Sequence, residues 1–204
     1  AYEITYGDWS SDVCSSDLPL GRGAGAVVYR AVDTALERVV AIKVPHAALL
    51  ADPQARRRFL VEMRAASMLH HPNIVAVYDA VLDDYNAYIV FEHISGTTLA
   101  RWLEVQSKPA DSRTAALIVA DLARGVQHAH EQGVLHRDLK PSNVLLDEGC
   151  HRAELPFVPR ISDFGIARFL DGDATCTSAE QVIGSPSFMA PERVKGDDCL
   201  LAPA

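Results

Sequence analysis

Cysteine is scarce and scattered. The four present, Cys14, Cys150, Cys176 and Cys199, form no Cys-x-x-Cys pair, so neither a disulfide framework nor a cysteine zinc site is expected, and a reducing, cytoplasmic compartment fits best. Basic charge is in short supply: 19 Lys and Arg stand against 27 Asp and Glu, a formal net charge of −8. A phosphate-backbone binder needs the opposite balance, so no nucleic acid partner is expected. No run approaches the roughly 20 uninterrupted apolar residues that a membrane-spanning helix requires, so no membrane contact is expected in this segment. Internal repeats are absent, as are low-complexity tracts beyond the opening residues. What is present is globular: 204 residues, 49% hydrophobic and 23% charged, enough for one domain of ordinary size with a real core.

Residues 1–18 lack an apolar period, a helix start and the apolar core of a signal peptide. The stretch Asp8 to Leu18 resembles the translation of a common sequencing adapter, so residues 1–18 are expected to be a non-native leader. They hold Glu3, Asp8, Asp12 and Asp17 without a Lys or Arg, half of the net negative charge. From Pro19 onward the pattern is ordered. Leu20 to Ala31 and Val39 to Val44 suggest a hairpin with a glycine-rich turn. Asp52-Pro53 is a helix start, followed by Ala55, Phe59, Met63, Ala66 and Leu69 at helical spacing. Ile74–Ala80 and Ala87–Phe91 read as two strands joined through Asp83-Asp84, and Gly96 then breaks the pattern. Beyond Ser112, the residues Ile118, Leu122, Val126 and Ala129 mark a long helix that Gly133 ends at C′.

Several residues do not fit a purely structural role. Gly21, Gly23 and Gly25 could let backbone N–H groups approach a phosphate, although a tight hairpin turn explains them equally. Lys43 ends an apolar strand, where a buried ammonium needs an anionic partner. Glu62 sits on the apolar face of its helix, where an unpaired carboxylate would be costly, so an ion pair between the two resolves both anomalies. Asp138, Lys140 and Asn143 crowd into one loop after the long helix, and Asp163 follows a second short apolar stretch. One carboxylate and one amide are a natural oxygen pair for Mg²⁺, which otherwise leans on substrate phosphates. The histidines at 70, 71, 128 and 130 have no cysteines or carboxylates at ligand spacing and read as turn and helix-surface residues.

Taken together, the glycine loop, Val40-Ala41-Ile42-Lys43, His136-Arg137-Asp138 with Asn143, Asp163-Phe164-Gly165 and Ala190-Pro191-Glu192 resemble the ordered motifs of a eukaryotic-type protein kinase. Lys140 and Gly184-Ser185-Pro186 resemble its serine/threonine branch, in particular bacterial members. The resemblance runs from Pro19 to about Arg193. It implies an α+β, two-lobed fold: residues 19–92 an N-lobe of antiparallel sheet with one helix, and 93–204 a helical C-lobe that is incomplete, because the chain stops soon after Glu192. It further implies transfer of the γ-phosphoryl group of ATP, with Mg²⁺, to Ser/Thr hydroxyls of protein substrates. Gly21 and Gly23 would cover the phosphates, Lys43 would hold them, and Glu62 would fix Lys43. Val28, Ala41 and Leu145 would sandwich the adenine, whose edge would meet the backbone from Glu92 to Ile94, with Phe91 at the back. Asp138 would accept the substrate proton, Lys140 would neutralise charge on the transferred group, and Asn143 and Asp163 would bind the metal. Arg137 would attract a phosphate on Thr175, Thr177 or Ser178. One departure stands out: Ala26 replaces the loop's third glycine. Two other readings remain open at this point, a non-catalytic nucleotide-binding pseudokinase and a small-molecule phosphotransferase. The complete set Lys43, Asp138, Asn143 and Asp163 counts against the first. Lys140 and the segment Gly184 to Glu192 count against the second.

Overall fold

A computed structural model describes residues 19–23, 25–46, 53–82, 87–150, 154–164 and 188. The expected leader, Asp83-Asp84, the three candidate phosphosites and Ala190-Pro191-Glu192 lie outside the described residues. The chain divides into two compact units, Ala1–Met68 with Ala76–His93, and Leu69–Val75 with Ile94–Ala204.

The first unit is built on five antiparallel strands in the order β1-β2-β3-β5-β4: β1 Pro19–Arg22, β2 Ala26–Asp33, β3 Arg38–Pro45, β4 Val77–Leu82 and β5 Ala87–Glu92. The β2–β3 hairpin runs in register from Ala26↔Pro45 to Asp33↔Arg38. Asp33 closes its turn: Oδ1 accepts the N–H groups of Ala35 and Leu36, both at 3.2 Å, and Oδ2 takes Arg38 Nε at 3.2 Å. Alternation along β3 and β5 buries Val40, Ile42, Tyr88 and Val90 together as one core face. Helix α1, Pro53–Ser67, begins at the proline, whose missing N–H costs nothing in a first turn. Phe59, Met63 and Ala66 of its periodic stripe are buried, as is Leu69 just beyond it.

The second unit pairs β6 Gly96–Thr98, β7 Val144–Asp147 and β8 Val158–Ile161 in that order, all antiparallel. Helices α2 Leu99–Val105 and α3 Ser112–Glu131 belong to it. Its core gathers Ile118, Val144, Leu146, Leu155 and Phe157, with Trp102 edge-on to Phe157 at 5.6 Å. Asp111 caps α3 by accepting the N–H groups of Arg113 and Thr114 at 3.0 Å. At the other end Gly133, at φ 72°, lets its own N–H reach His130 O and that of Val134 reach Ala129 O, both at 2.9 Å, so the last carbonyls of the helix are satisfied.

Two expectations need correction. Ile74 is not part of the strand expected over 74–80, which begins at Val77; it makes an isolated parallel bridge to Ile161. The physical reason is a competing partner: Ile161 donates to Asn73 O at 2.8 Å and accepts from Val75 N–H at 2.9 Å, which draws 73–75 into the second unit. Gly96 does not break structure but opens β6, because a Cβ there would stand 1.9 Å from Leu146 O. Only glycine permits that approach. Helix α2 and strand β8 went unanticipated.

Candidate active site

The sheet register of the first unit does what spacing alone cannot. Directly opposed residues of antiparallel strands share a face, and the pairs Val28↔Lys43, Ala41↔Phe91 and Lys43↔Ile89 therefore put Val28, Ala41, Lys43, Ile89 and Phe91 on the same side of the sheet. It is the side opposite the Val40, Ile42 and Val90 core. Lys43 is only 8% exposed there. Glu62 lies in the same unit, partly buried on α1 with its Oε2 shielded from water, and both side chains are engaged in polar or electrostatic contact. At the end of β5, Glu92 N–H donates to Ala76 O at 2.9 Å. His93 follows, its imidazole held below the usual histidine range first by burial and then by the Arg30 guanidinium. Ile94 belongs to the second unit, at the start of its longer stretch.

Gly21, within β1, and Gly23, in the turn to β2, are both exposed. Neither would crowd an added Cβ, so these glycines do not serve packing. Ala26, in place of a third glycine, is buried opposite Pro45.

In the second unit the segment after α3 turns through Arg137, at φ 65°, a left-handed conformation uncommon outside glycine. His136 anchors it from within. Its Nε2 lies 2.8 Å from Ser162 O, its Nδ1 accepts Asp138 N–H at 3.3 Å, and its ring meets Phe164 edge-on at 4.7 Å. One nitrogen must donate and the other accept, which assigns the neutral Nε2–H tautomer. Burial, outweighing the Ser162 carbonyl and the Asp163 and Asp138 charges, pushes the His136 pKa down and keeps the ring neutral.

Asp138 Oδ2 receives Lys140 Nζ at 2.6 Å and Asn143 Nδ2 at 3.2 Å, and Asn143 Nδ2 also donates to Asp138 O at 2.8 Å. Asn143 stands in a 3₁₀ turn, Pro141–Asn143, closed by its own N–H to Lys140 O at 2.9 Å. Ser162 then binds the far side of the turn: its N–H and Oγ both donate to Asn143 O, at 2.9 and 3.1 Å. The next residue is Asp163, held at φ 66°. Strain of this kind persists where neighbouring contacts over-determine it, typically at functional sites. Leu145 follows on β7, half-buried.

The structure thus brings Asp138, Lys140, Asn143 and, through Ser162, Asp163 into one bonded network, while Val28, Ala41, Lys43 and Phe91 share one sheet face. Sequence reasoning missed Ser162 and Asn73. Asn73 is 1% exposed, and its Nδ2 donates to Pro159 O at 2.9 Å, which fastens the strand leading to Asp163. A polar residue after a proline gives no sign of burial; only the distant β8 does.

A loop that ties a carboxylate to a lysine and an amide, with Asp163 following the serine bonded to it, has the arrangement expected from the protein kinase motifs. Residues 15–201 match the protein kinase domain family, and the chain belongs to it. It is 39% identical over 183 residues to the probable serine/threonine-protein kinase SCO3848 of Streptomyces coelicolor, and 37% identical over 177 residues to the serine/threonine-protein kinase PrkC of Bacillus subtilis; each alignment covers 87% of this chain and 26% of the relative. The chain therefore spans about a quarter of the length of the curated relatives it matches. Among solved structures it is similar to the kinase domain of Mycobacterium tuberculosis PknI, at 31% identity and a TM-score of 0.64, over 73% of this chain and 58% of that one. The α+β kinase fold expected from the motifs is the fold observed.

Proposed function

We propose that the protein transfers the γ-phosphoryl group of ATP to serine or threonine hydroxyls of protein substrates, with residues 19–92 as the nucleotide-binding lobe and 93–204 contributing the catalytic loop. The observation that carries this reading is the Asp138–Lys140–Asn143 network bonded through Ser162 to Asp163.

The donor chemistry fits ATP and Mg²⁺, which protein kinases use in general. Asn143 spends both described Nδ2 contacts on Asp138, which leaves Oδ1 as a hard oxygen ligand, and Ser162, bonded to Asn143 O, directly precedes Asp163, which would supply a carboxylate. Such a pair suits Mg²⁺, which favours oxygen and takes few protein ligands. When bound, the ion would neutralise phosphate charge. Asp138 would accept the substrate hydroxyl proton on Oδ1, since Oδ2 is held by Lys140 and Asn143, and this grip orients the base before substrate arrives. The Lys140 ammonium adjoining Asp138 would offset negative charge on the transferred group. Lys43, fixed by Glu62, would hold the α- and β-phosphates. Gly21 and Gly23 would cover them, and Val28, Ala41, Leu145, Phe91 and the Glu92 to Ile94 backbone would hold the adenine. Among the described residues no helix is long and apolar enough to cross a membrane. The cysteine usage favours a cytoplasmic catalytic segment.

The test separates binding from transfer in the full-length protein. Asp138→Asn is expected to abolish transfer from labelled ATP to a generic basic protein and to leave the ATP dissociation constant within about threefold, because the base touches the substrate hydroxyl rather than the nucleotide. Lys43→Met is expected to abolish transfer and weaken ATP. Undiminished transfer in both variants would overturn the reading.

A further inference from the structure

The glycine-rich turn has a side-chain anchor that the proposed chemistry does not use. His46 follows directly on β3, and its own N–H donates to Gly25 O at 2.9 Å. Its ring Nε2 lies 3.3 Å from Gly23 O. A carbonyl can only accept, so Nε2 carries the proton in this contact. On the inner side of the same turn Gly23 N–H donates to Ala26 O at 2.9 Å. Gly23 is therefore held through both of its backbone polar groups, one by the turn itself and one by an imidazole that approaches from the neighbouring strand.

We propose that His46 is a positioning residue for the nucleotide: by gripping Gly23 O it holds the glycine turn in the conformation that meets the phosphates. The inference rests on the nucleotide reading above. Its logic is entropic. Glycine gives up more backbone freedom on ordering than any other residue; Gly21 is ordered by its β1 pairing to Val28, whereas Gly23 lies past the strand, exposed and not packed against a neighbour, and its carbonyl is fixed by the imidazole. Because the C=O and N–H of a peptide point to opposite edges of one plane, a fixed carbonyl in such a turn also decides which edge its N–H groups present. Preorganisation of this kind lowers the cost of binding without touching the ligand. The grip is separable from the fold: the backbone bond from residue 46 to Gly25 O survives substitution by alanine or glutamine, and the exposed ring contributes little to the core.

The experiment compares two probes on the full-length protein by titration calorimetry, ADP with Mg²⁺ and adenosine. Loss of one modest hydrogen bond in His46→Ala is expected to weaken ADP about fivefold while adenosine changes by less than about twofold, since adenosine has no phosphates for the turn to meet. His46→Gln, whose amide N–H₂ restores a donor of similar reach, is expected to recover ADP affinity to within about twofold of the parent. In turnover the alanine variant should raise KM for ATP and leave kcat nearly unchanged, the pattern of lost ground-state binding. A wild-type protein that binds both probes beside an alanine variant that matches it refutes the grip alone. Equal weakening of ADP and adenosine, or no recovery with glutamine, refutes it as well by showing a general structural role. A wild-type protein that binds neither probe removes the nucleotide reading and the inference with it.

Discussion

In the proposed function Asn143 has two separable duties, and two substitutions tell them apart. As a metal ligand it needs only an oxygen; as the brace of Asp138 it needs an N–H₂ group, whose contacts are 2.8 Å to Asp138 O and 3.2 Å to Asp138 Oδ2. Asn143→Asp keeps the oxygen, adds a charge that would favour a cation, and removes both donors. It also sets carboxylate oxygens against two acceptors. A neutral hydrogen bond contributes about 1 kcal/mol and one to a carboxylate about 1.5–3 kcal/mol, so the brace is worth roughly 2.5–4 kcal/mol. At about 1.4 kcal/mol per decade, full expression of that loss in the transition state lowers kcat on the order of a hundredfold to a thousandfold. A base displaced by about 1 Å gives a cost of similar size. The expected result is that Asn143→Asp and Asn143→Ala both lose at least about a hundredfold in kcat, and that raising Mg²⁺ does not restore the aspartate variant. The assay is steady-state phosphorylation across a Mg²⁺ titration. An aspartate variant within about threefold of the parent, or one rescued by Mg²⁺, would show that Asn143 is a metal ligand only.

Gly96→Ala drives a methyl to 1.9 Å from Leu146 O; a backbone atom in a paired strand has little room to yield, so a loss of roughly 2–3 kcal/mol and a fall in Tm of about 5–10 °C are expected by calorimetry. An unchanged Tm would refute the close approach. His136 is held below its ordinary pKa by burial, so below about pH 6.5 the unfolded chain binds the extra proton. Its contribution to stability is therefore present above that value and lost as pH falls toward the lower folded pKa. Urea midpoints at pH 8 and pH 5.5 should converge in His136→Gln relative to the parent. An equal pH dependence in both would remove His136 as the cause. Asn73→Ala strips the Nδ2 bond to Pro159 O from a buried site; about 1–3 kcal/mol should be lost, with faster amide exchange at Val75 and Ile161. Unaltered exchange at both would sink the idea that Asn73 fastens β8.

Local signals decided much of the fold in advance. Proline at the first position of α1, the stripe Phe59, Met63, Ala66 and Leu69, and Gly133 beyond α3 each act within a turn or two of chain, so sequence spacing carries them. Strand β8 was obscured for a physical reason: Pro159 and Arg160 break its apolar pattern, and proline argues against a strand unless the strand lies at an edge. β8 lies at the edge of its three-stranded sheet, met on its other side at Ile161 by the bridge to Ile74. Gly96 was misread because glycine marks a loop and a close backbone approach with the same letter. Within the site, the residue types in 136–143 stood out through their resemblance to a family pattern. Their division of labour did not: that Nδ2 of Asn143 serves two oxygens of Asp138, or that Ser162 ties Asn143 to the strained Asp163, depends on contacts between separate stretches of chain. The placing of Val28, Ala41, Lys43 and Phe91 on one face likewise depends on register between strands, which no single segment encodes.

The most direct test of the account is the chemical identity of the product. The full-length protein, incubated with Mg²⁺, γ-labelled ATP and a generic basic protein, should place label on the protein, and acid hydrolysis should release it as phosphoserine or phosphothreonine. Asp138→Asn should leave the protein unlabelled under the same conditions. Label recovered as phosphotyrosine or in a small molecule, or label on protein that persists in Asp138→Asn, would contradict a serine/threonine protein kinase whose base is Asp138.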